Sequence, residues 1–271
     1  MPDFSTLWPL ALAGLVPIAG IALATWLASL LRRDASLVDR TWSLMIAAPM
    51  VAVVIVGHLP WVGARTAAVL GLVVAWAVRL SVYITWRNWG HGEDRRYQAI
   101  RARNEPRFAL KSLLIVFALQ SVLAWIVSMP TLAALLGTRP FGALDGVGLA
   151  VAIVGFAFET VGDLQMAAFK ADPTSRGKVM DRGLWRYTRH PNYFGEALFW
   201  WGVWLIALAA GGLGAAWTVL SPLLMTGLLL KVSGVALLEK DIAERRPAYR
   251  DYIARTNAFV PGPPRRRETG A

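Results

Sequence analysis

The sequence has no cysteine and only three histidines among its 271 residues. The absence of cysteine excludes disulfide bonds, thiol nucleophiles and thiolate metal sites. His58, His91 and His190 lie far apart along the chain, which argues against a His-rich metal site, so no metal is predicted. Two standard nucleotide signatures are also missing, the G-x-G-x-x-G turn after a strand and the G-x-x-x-x-G-K-[ST] loop.

Charged residues make up only 17% of the chain, whereas hydrophobic residues make up 56%. Apolar blocks of roughly 20 residues, the length that crosses about 30 Å of hydrocarbon, recur from end to end. They predict an all-α, polytopic membrane protein. The seven predicted transmembrane helices cover residues 6–31, 37–57, 64–87, 108–128, 145–169, 193–210 and 214–238. The first block lacks the basic region and cleavage site of a signal peptide, so we expect it to be retained.

The first, third and fifth connections and the C-terminal tail carry nearly all of the 28 lysines and arginines. The positive-inside rule therefore predicts an N-terminus outside the membrane and a cytoplasmic C-terminus. The net charge of +11 could instead indicate nucleic-acid binding, but the basic residues border hydrophobic spans and no nucleic-acid module is visible. We expect membrane lipids, and no nucleic acid, as partners of these charges.

A single membrane domain is expected over residues 1–271, because the chain shows no repeat of fixed period and no low-complexity segment except the short Pro/Arg tail after Phe259. Its helical core covers about 6–264, and the basic residues 265–271 are expected to form a disordered tail.

Several polar residues lie inside the predicted spans. Glu159, Asp163 and Lys170 are spaced four and seven residues apart and share one helix face. They either form interhelical hydrogen bonds that fix the packing or line a site for a polar ligand. Asp39, at the start of the second helix, and Lys231, in the seventh, lie in the same cytoplasmic half of the predicted bundle.

A second polar stripe follows the third helix. Arg79, Tyr83 and Arg87 recur every four residues and share a face, although Arg79 could simply extend to the interface. Asn88 comes next and is followed by GHGEDRRY at 90–97. That run is either part of a site or a solvated loop with internal ion pairs.

The densest polar motif is GLWRYTRHPNYFGE, at 183–196, at the entrance to an apolar segment. Pro191 excludes a regular helix through His190, and Asn192 is suited to cap the helix that follows. Asn192 and Glu196 then share a face at a helix N-terminus, where unpaired amides favour phosphate.

Upstream of this motif, a basic loop that could clamp phosphates contains Lys170, Arg176, Lys178 and Arg182. Arg189 and His190 could instead only anchor the motif at lipid headgroups. Residue chemistry alone therefore indicates a membrane enzyme or binder with an anionic ligand on the cytoplasmic side.

From about Ser36 to Pro264 the chain resembles the bacterial steroid 5α-reductase-like membrane proteins. The resemblance is carried by Val38-Asp39 with Trp42, the block from Arg79 to Tyr97 ending in GEDRRY, FETVGDLQMAAFK, RGKVMDRGLWRYTRHPNYFGEALFWWG and LLLKVSGVALLEKDIAERRPAYRDYIARTNAFVPGPP. Strings similar to RHPNYFGE also occur in sterol C=C reductases and in isoprenylcysteine-type carboxyl methyltransferases, whose C-terminal architecture is related.

The resemblance implies a seven-helix fold that holds NADPH in a cytoplasmic half formed mainly by residues 145–264, in the bacterial inner membrane. A lipid or steroid-like enone would enter from the bilayer and accept a hydride at its β-carbon. The residues implied as cofactor contacts are Glu159, Asp163, Lys170, Lys178, Asn192 and Glu196, with Arg79, Asn88, Tyr187, Arg189, His190, Tyr193, Lys231 and Glu239 as further candidates.

The chain departs from the steroid 5α-reductase pattern at the proton donor. That family uses a Glu in the second helix and a Tyr in the third, whereas this chain offers Asp39 and places Trp76 at the tyrosine position. Tyr83 is the only tyrosine of the third helix, so Asp39 and Tyr83 are the predicted catalytic pair.

Three functions remain open from the sequence. The first is an NADPH-dependent reductase of a lipid C=C bond. The second is an S-adenosylmethionine-dependent methyltransferase of the isoprenylcysteine type, although the basic stretch from Lys170 to Arg182 suits a phosphorylated anion better. The third is a non-catalytic lipid-binding or transport protein, although paired repeats and broken helices in corresponding halves are not visible.

Overall fold

The structure, a computed structural model, describes residues 4–56, 63–232, 234–239, 242–245 and 247–265. These residues form helices and connecting loops, and no β-strand occurs among them. The all-α prediction is confirmed. Residue 57, at the end of the second predicted helix, and 266–271 of the predicted tail lie outside the described residues.

Thirteen α-helical segments follow one another in the described ranges. The first seven are α1 (Phe4–Ala13), α2 (Leu15–Arg32), α3 (Leu37–Val56), α4 (Ala64–Arg87), α5 (Arg95–Asn104), α6 (Phe108–Ser112) and α7 (Leu119–Leu136). The others are α8 (Ala143–Ala171), α9 (Pro191–Gly211), α10 (Leu220–Gly227), α11 (Val235–Glu239), α12 (Ile242–Arg245) and α13 (Ala248–Arg255). A π-helical stretch, Leu113–Ala118, joins α6 to α7, so the fourth apolar helix continues to Leu136 and not only to residue 128.

Six helical segments of the described chain are long and apolar enough to cross a membrane. They are Trp8–Arg32, Leu37–Ile55, Ala64–Arg87, Phe108–Leu136, Ala143–Ala171 and Pro191–Val232. The prediction of a polytopic membrane protein is thus supported by six spans. The sixth and seventh predicted helices fall together in the last segment, which is 42 residues long.

The chain reverses direction within that last segment. Helix α9 ends at Gly211, and Gly212 has a φ of +61°, a conformation that costs glycine little and other residues more. A 3₁₀ stretch, Gly212–Val219, follows. The indole nitrogen of Trp201 then donates to the hydroxyl of Thr226 at 3.3 Å. Twenty-five residues of straight helix would separate these two by about 37 Å, so the two arms run back along each other.

The fold divides into two compact units. The first unit contains Met1–Asp145 and Trp204–Ser221, and the second contains Gly146–Val203 and Pro222–Ala271. The single domain expected over 1–271 remains a prediction.

In the first unit, α3 packs against α2, α4 and α7. The fully buried side chains at its core include Met45, Ile46, Met50, Trp76, Phe117 and Leu132. One end is held by Arg65, which donates to both carboxylate oxygens of Asp145 at 2.7 and 2.9 Å. The same guanidinium also donates to the carbonyls of Arg139 and Pro140.

In the second unit, α8 and α9 meet backbone to backbone at glycines. A Cβ added to Gly195 would collide with the Glu159 amide nitrogen, and one on Gly155 would collide with that of Phe199. One on Gly202 would collide with the Ala152 amide. Small residues are the usual means of such close approach between membrane helices. The contact fixes which residues of α8 face which residues of α9.

We predict that Gly195→Ala lowers the thermal stability of the detergent-solubilised protein, because two backbones must separate to admit one methyl group. Overpacking of this kind costs about 1–3 kcal/mol. The matched control is Gly146→Ala on α8, where an added Cβ meets nothing within 4 Å. Fluorescence-detected size-exclusion after heating measures both variants. Equal midpoints for Gly195→Ala and the control would show that the close contact is not required.

Candidate functional site

The second unit contains a cluster of buried polar side chains on α8 and α9. The residues Glu159, Asp163 and Glu196 are only 1%, 4% and 8% exposed. The amide nitrogen of the Asn192 side chain donates to Asp163 Oδ1 at 3.1 Å. The other end of that amide, Asn192 Oδ1, is buried and accepts no hydrogen bond from the described residues. A buried acceptor without a donor is uncommon and indicates a place for a ligand or water donor.

The glycine contact explains why these residues meet. Gly162 lies under the start of α9, where an added Cβ would be 3.1 Å from the Asn192 amide nitrogen. Helix α9 begins at Pro191, so Asn192 lies within its first turn. The prediction that Asn192 caps this helix is wrong, because Asn192 lies inside the helix and its Oδ1, the atom that would cap, accepts no hydrogen bond from the described residues.

Carboxylates and an amide oxygen make this cluster rich in acceptors. Burying a carboxylate is costly unless hydrogen bonds or opposite charge compensate it. Asn192 Oδ1, which is buried and accepts no hydrogen bond from the described residues, fits a ligand that presents an N–H or O–H donor and does not fit a phosphate oxygen. The phosphate site expected at the α9 N-terminus would have to avoid Glu196 and Asp163, which lie close to it.

The preceding residues of the motif form a second, charge-neutralising group. Arg189 donates from Nε and Nη2 to the two carboxylate oxygens of Glu239, both at 2.7 Å. His190 Nε2 donates to Glu239 Oε1 at 2.9 Å. The Tyr193 ring stacks on the imidazole with centroids 5.4 Å apart. Arg189, His190 and Glu239 were predicted as cofactor contacts, and the structure gives each of them a partner within the protein.

The remaining predicted contacts of this unit lie at its surface. Lys170, in the last turn of α8, is exposed, as are Lys178 and Lys231. Tyr187 is 44% exposed. The loop from Lys178 to Thr188 is fixed on α8, because the Leu184 amide donates to the side chain of Gln165 and the Trp185 indole to the carbonyl of Gly162, both at 3.0 Å. The exposed cations Lys178 and Arg182 thus stand on an anchored loop.

Of the predicted site residues, Asp39, Arg79, Tyr83 and Asn88 lie in the first unit. There Asp39 accepts a hydrogen bond from the Tyr97 hydroxyl at 2.6 Å and another from Arg96 at 2.9 Å. Sequence reasoning placed Arg96 and Tyr97 in the polar run 90–97 but did not pair them with Asp39. The dense charge of the run 90–97, together with an acid at the start of a predicted membrane helix, was the feature of the sequence that could have indicated this pairing.

The same run is docked on the chain just before α3. Glu93 accepts from the Ala35 amide and from Arg101, each at 2.8 Å. Partial burial raises the pKa of Glu93, but these hydrogen bonds and the charge of Arg101 lower it by more. For Tyr97, burial and the neighbouring Asp39 raise the pKa well above its ordinary value. The phenol therefore stays protonated and remains a hydrogen-bond donor.

Tyr83 lies between two cations of its own helix. The guanidinium carbons of Arg79 and Arg87 are 5.2 and 5.6 Å from its ring centroid, within cation–π range. Asn88 ends α4, where its amide donates to the Ile84 carbonyl at 3.1 Å. The Asp39–Tyr83 catalytic pair stays a prediction, while the structure pairs Asp39 with a different phenol.

These features define a helical membrane protein whose two units each hold a group of paired polar side chains. In the described ranges no group of three or more His, Asp or Glu is arranged to hold a metal ion. Comparison with known proteins gives the family. Residues 25–256 match DUF1295, described as "Protein of unknown function (DUF1295)" and associated with steroid 5α-reductase-like proteins, and the chain belongs to this family.

One relative is an uncharacterised protein of Schizosaccharomyces pombe, which is 26% identical over 262 residues. The alignment covers 87% of this chain and 75% of the yeast protein. No solved structure matches the chain.

We predict that the Glu239 ion pair stabilises the protein at neutral pH and is lost in acid. Partial burial raises the pKa of Glu239, but hydrogen bonds from His190 and Arg189 and the charge of Arg189 lower it by more, from 4.5 to about 2. A lowered folded-state pKa means that the stabilisation is complete above about pH 4.5 and disappears as the pH falls toward 2.

The measurement is the melting temperature of wild type and Glu239→Gln between pH 7 and pH 3. The difference in melting temperature should be constant from pH 7 to 5 and shrink below pH 4.5, since the corresponding difference in the free energy of unfolding is at most about 3 kcal/mol and is lost in acid. A difference that grows in acid would contradict the assignment.

Proposed function

We propose that the protein is a membrane-embedded, NADPH-dependent reductase that transfers a hydride to the C=C bond of a lipid or steroid-like enone. The observation that carries the proposal is the buried acceptor cluster of Glu159, Asp163, Asn192 and Glu196, together with membership of a family associated with steroid 5α-reductase-like proteins. A soluble cofactor with many donors is the ligand that such a cluster fits.

Different residues of the second unit suit different parts of the cofactor. The ribose hydroxyls and the carboxamide of NADPH are donors, and they suit the buried carboxylates and the open Asn192 Oδ1. Its phosphates require cations, which the exposed loop supplies through Arg176, Lys178 and Arg182. NADPH, when bound, supplies the hydride. The protein's part is to orient the dinucleotide and to exclude water from the buried end.

Asp39 and Tyr83 remain the proposed catalytic pair, and Tyr97 joins them as the phenol that Asp39 holds at 2.6 Å. A substrate carbonyl develops negative charge as the hydride arrives, so a phenol that stays protonated can stabilise it by hydrogen bonding. The apolar remainder of the substrate would come from the bilayer.

S-adenosylmethionine is the second candidate ligand. Buried carboxylates complement a cationic sulfonium as readily as they accept hydrogen bonds from hydroxyls, so the acidic cluster alone also fits a methyltransferase. The basic loop has no partner in that cofactor, which carries no phosphate.

We predict that purified protein changes NADPH fluorescence on binding and that Glu196→Gln or Asp163→Asn weakens binding by about 10- to 100-fold. A buried hydrogen bond to an ionised group contributes about 1.5–3 kcal/mol, which corresponds to this range. Glu244→Gln is the control, because Glu244 is an exposed acid on α12.

Thermal shifts with each cofactor separate the alternatives. Stabilisation by S-adenosylmethionine and not by NADPH would establish the methyltransferase. Stabilisation by neither would leave the lipid-binding or transport protein as the remaining function.

We also infer seven crossings of the bacterial inner membrane, with the N-terminus outside and the C-terminus cytoplasmic. The inference is supported by the reversal after Gly211, which folds the 42-residue apolar segment into two arms. The Arg139 amide donates to the Ala210 carbonyl at 3.1 Å, so the reversal and the 137–142 loop share one end of the first unit.

Single cysteines test this arrangement without background, because the chain has none of its own. We expect Thr138→Cys and Leu213→Cys to react with a membrane-impermeant maleimide in intact cells, and Thr174→Cys only after permeabilisation. All three positions are exposed. Labelling of Leu213→Cys together with Thr174→Cys, and not with Thr138→Cys, would contradict the seventh crossing.

A further inference from the structure

We propose that Arg189 and Glu239 are positioning residues: they tie the C-terminal segment, residues 252–262, to the start of α9 and thereby hold Asn192 and Glu196 in place. On this assignment neither Arg189 nor Glu239 contacts the ligand. The statement about the ligand rests on the proposed function, whereas the tethering of the segment does not.

The donors of Arg189 are nearly all used by the protein. Nε and Nη2 form the two-pronged pair with Glu239, and Nη1 donates to the carbonyls of Ile253, at 3.2 Å, and Thr256. A guanidinium has five N–H groups, and four of them are satisfied here. The side chain is only 9% exposed and that of Glu239 is 16% exposed. Little of this cation is left for a phosphate.

Backbone hydrogen bonds extend the same connection on both sides of Arg189. Its own amide donates to the Asn257 carbonyl at 2.9 Å, and the Gly262 amide donates to the Tyr187 carbonyl at 3.0 Å. The Thr188 hydroxyl donates to the Phe259 carbonyl at 2.8 Å. The C-terminal segment therefore lies along residues 185–189, the stretch that leads into α9.

Aromatic packing carries the connection into the helix. The Phe259 ring meets the Phe194 ring edge to face at 5.9 Å, and Phe194 meets Phe158 of α8 in the same way at 5.6 Å. Phe194 lies in the first turn of α9, between Asn192 and Glu196. Releasing the segment would free the turn that carries both of these residues.

A ligand-contacting role and a positioning role for Arg189 and Glu239 predict different results. If Arg189 and Glu239 contact the ligand, removing the charge of Glu239 weakens binding but leaves the C-terminal segment in place. If they are positioning residues, the same change leaves the buried Arg189 cation without its counter-charge and loosens the segment even when no ligand is present.

A cysteine probe in native membranes separates these readings. Thr256 is 5% exposed, and Thr256→Cys would be the only thiol in the chain. We expect a polyethylene-glycol maleimide to label it slowly in the otherwise unchanged protein and at least about tenfold faster when Glu239→Gln is added, because the thiol becomes reachable by local opening. The matched control, Glu244→Gln, should leave the rate unchanged, since Glu244 is exposed.

Glu239→Asp is a milder variant that can be measured if Glu239→Gln does not fold. It keeps the charge and shortens the side chain, so we expect a labelling rate between those of the unchanged protein and Glu239→Gln. Size-exclusion profiles identify any aggregated variant, in which case the aspartate variant decides. Equal labelling rates in all variants overturn the proposal.

The affinity for NADPH is measured on the same variants. NADPH affinity should fall in the order in which labelling rises, with Glu239→Asp intermediate. A loss of affinity without faster labelling means that Glu239 contacts the ligand and overturns the positioning role. A protein that binds no NADPH at all refutes the proposed function, while the labelling result still decides whether Arg189 and Glu239 tether the segment.

Discussion

The close contact between α8 and α9 is the constraint on which the rest of the second unit depends. At Gly155, Gly195 and Gly202 no side chain separates the two backbones. The separation is therefore set by the main chains themselves, and the polar residues one turn away are brought within hydrogen-bond range. Asp163 meets Asn192 for this reason. Helices held apart by larger side chains would leave room for lipid or water between these groups.

The motif at 183–196 divides into two parts with different chemistry. Its Arg189 and His190 both bind Glu239, so the charge of Arg189 is paired within the protein. Its Asn192 pairs with Asp163 of α8, and together with the buried Glu196 it makes the other half rich in acceptors. The first unit repeats the pairing of charges, since Asp39 and Glu93 each have an arginine partner. Asn192 Oδ1, buried without a donor among the described residues, is the atom of the acceptor-rich half that a ligand could satisfy.

Local features could be predicted from the sequence. The third helix was expected at 64–87 and is Ala64–Arg87, because its apolar run and its terminal basic residues are signals carried by neighbouring positions. Partners distant in sequence could not be predicted. Asp39 and Tyr97 are 58 residues apart, and Asn192 pairs with Asp163 instead of capping its own helix. The pairing uses the side-chain nitrogen of Asn192, while its Oδ1, the atom that a cap requires, accepts no hydrogen bond from the described residues, and only the packing of α8 on α9 fixes this orientation.

The Arg65–Asp145 pair has a consequence for how the protein is made. Eighty residues separate the two, and at about 5–20 residues per second the ribosome needs roughly 4–16 s to reach the second after the first. During that interval Arg65 has been synthesised, but the carboxylate of Asp145 that pairs with it has not. Arg65 is the second residue of α4, and at this end of the helix its cation can remain at the bilayer surface. Insertion of α8 then completes the pair, so the final seating of α4 is delayed until more than half of the chain exists.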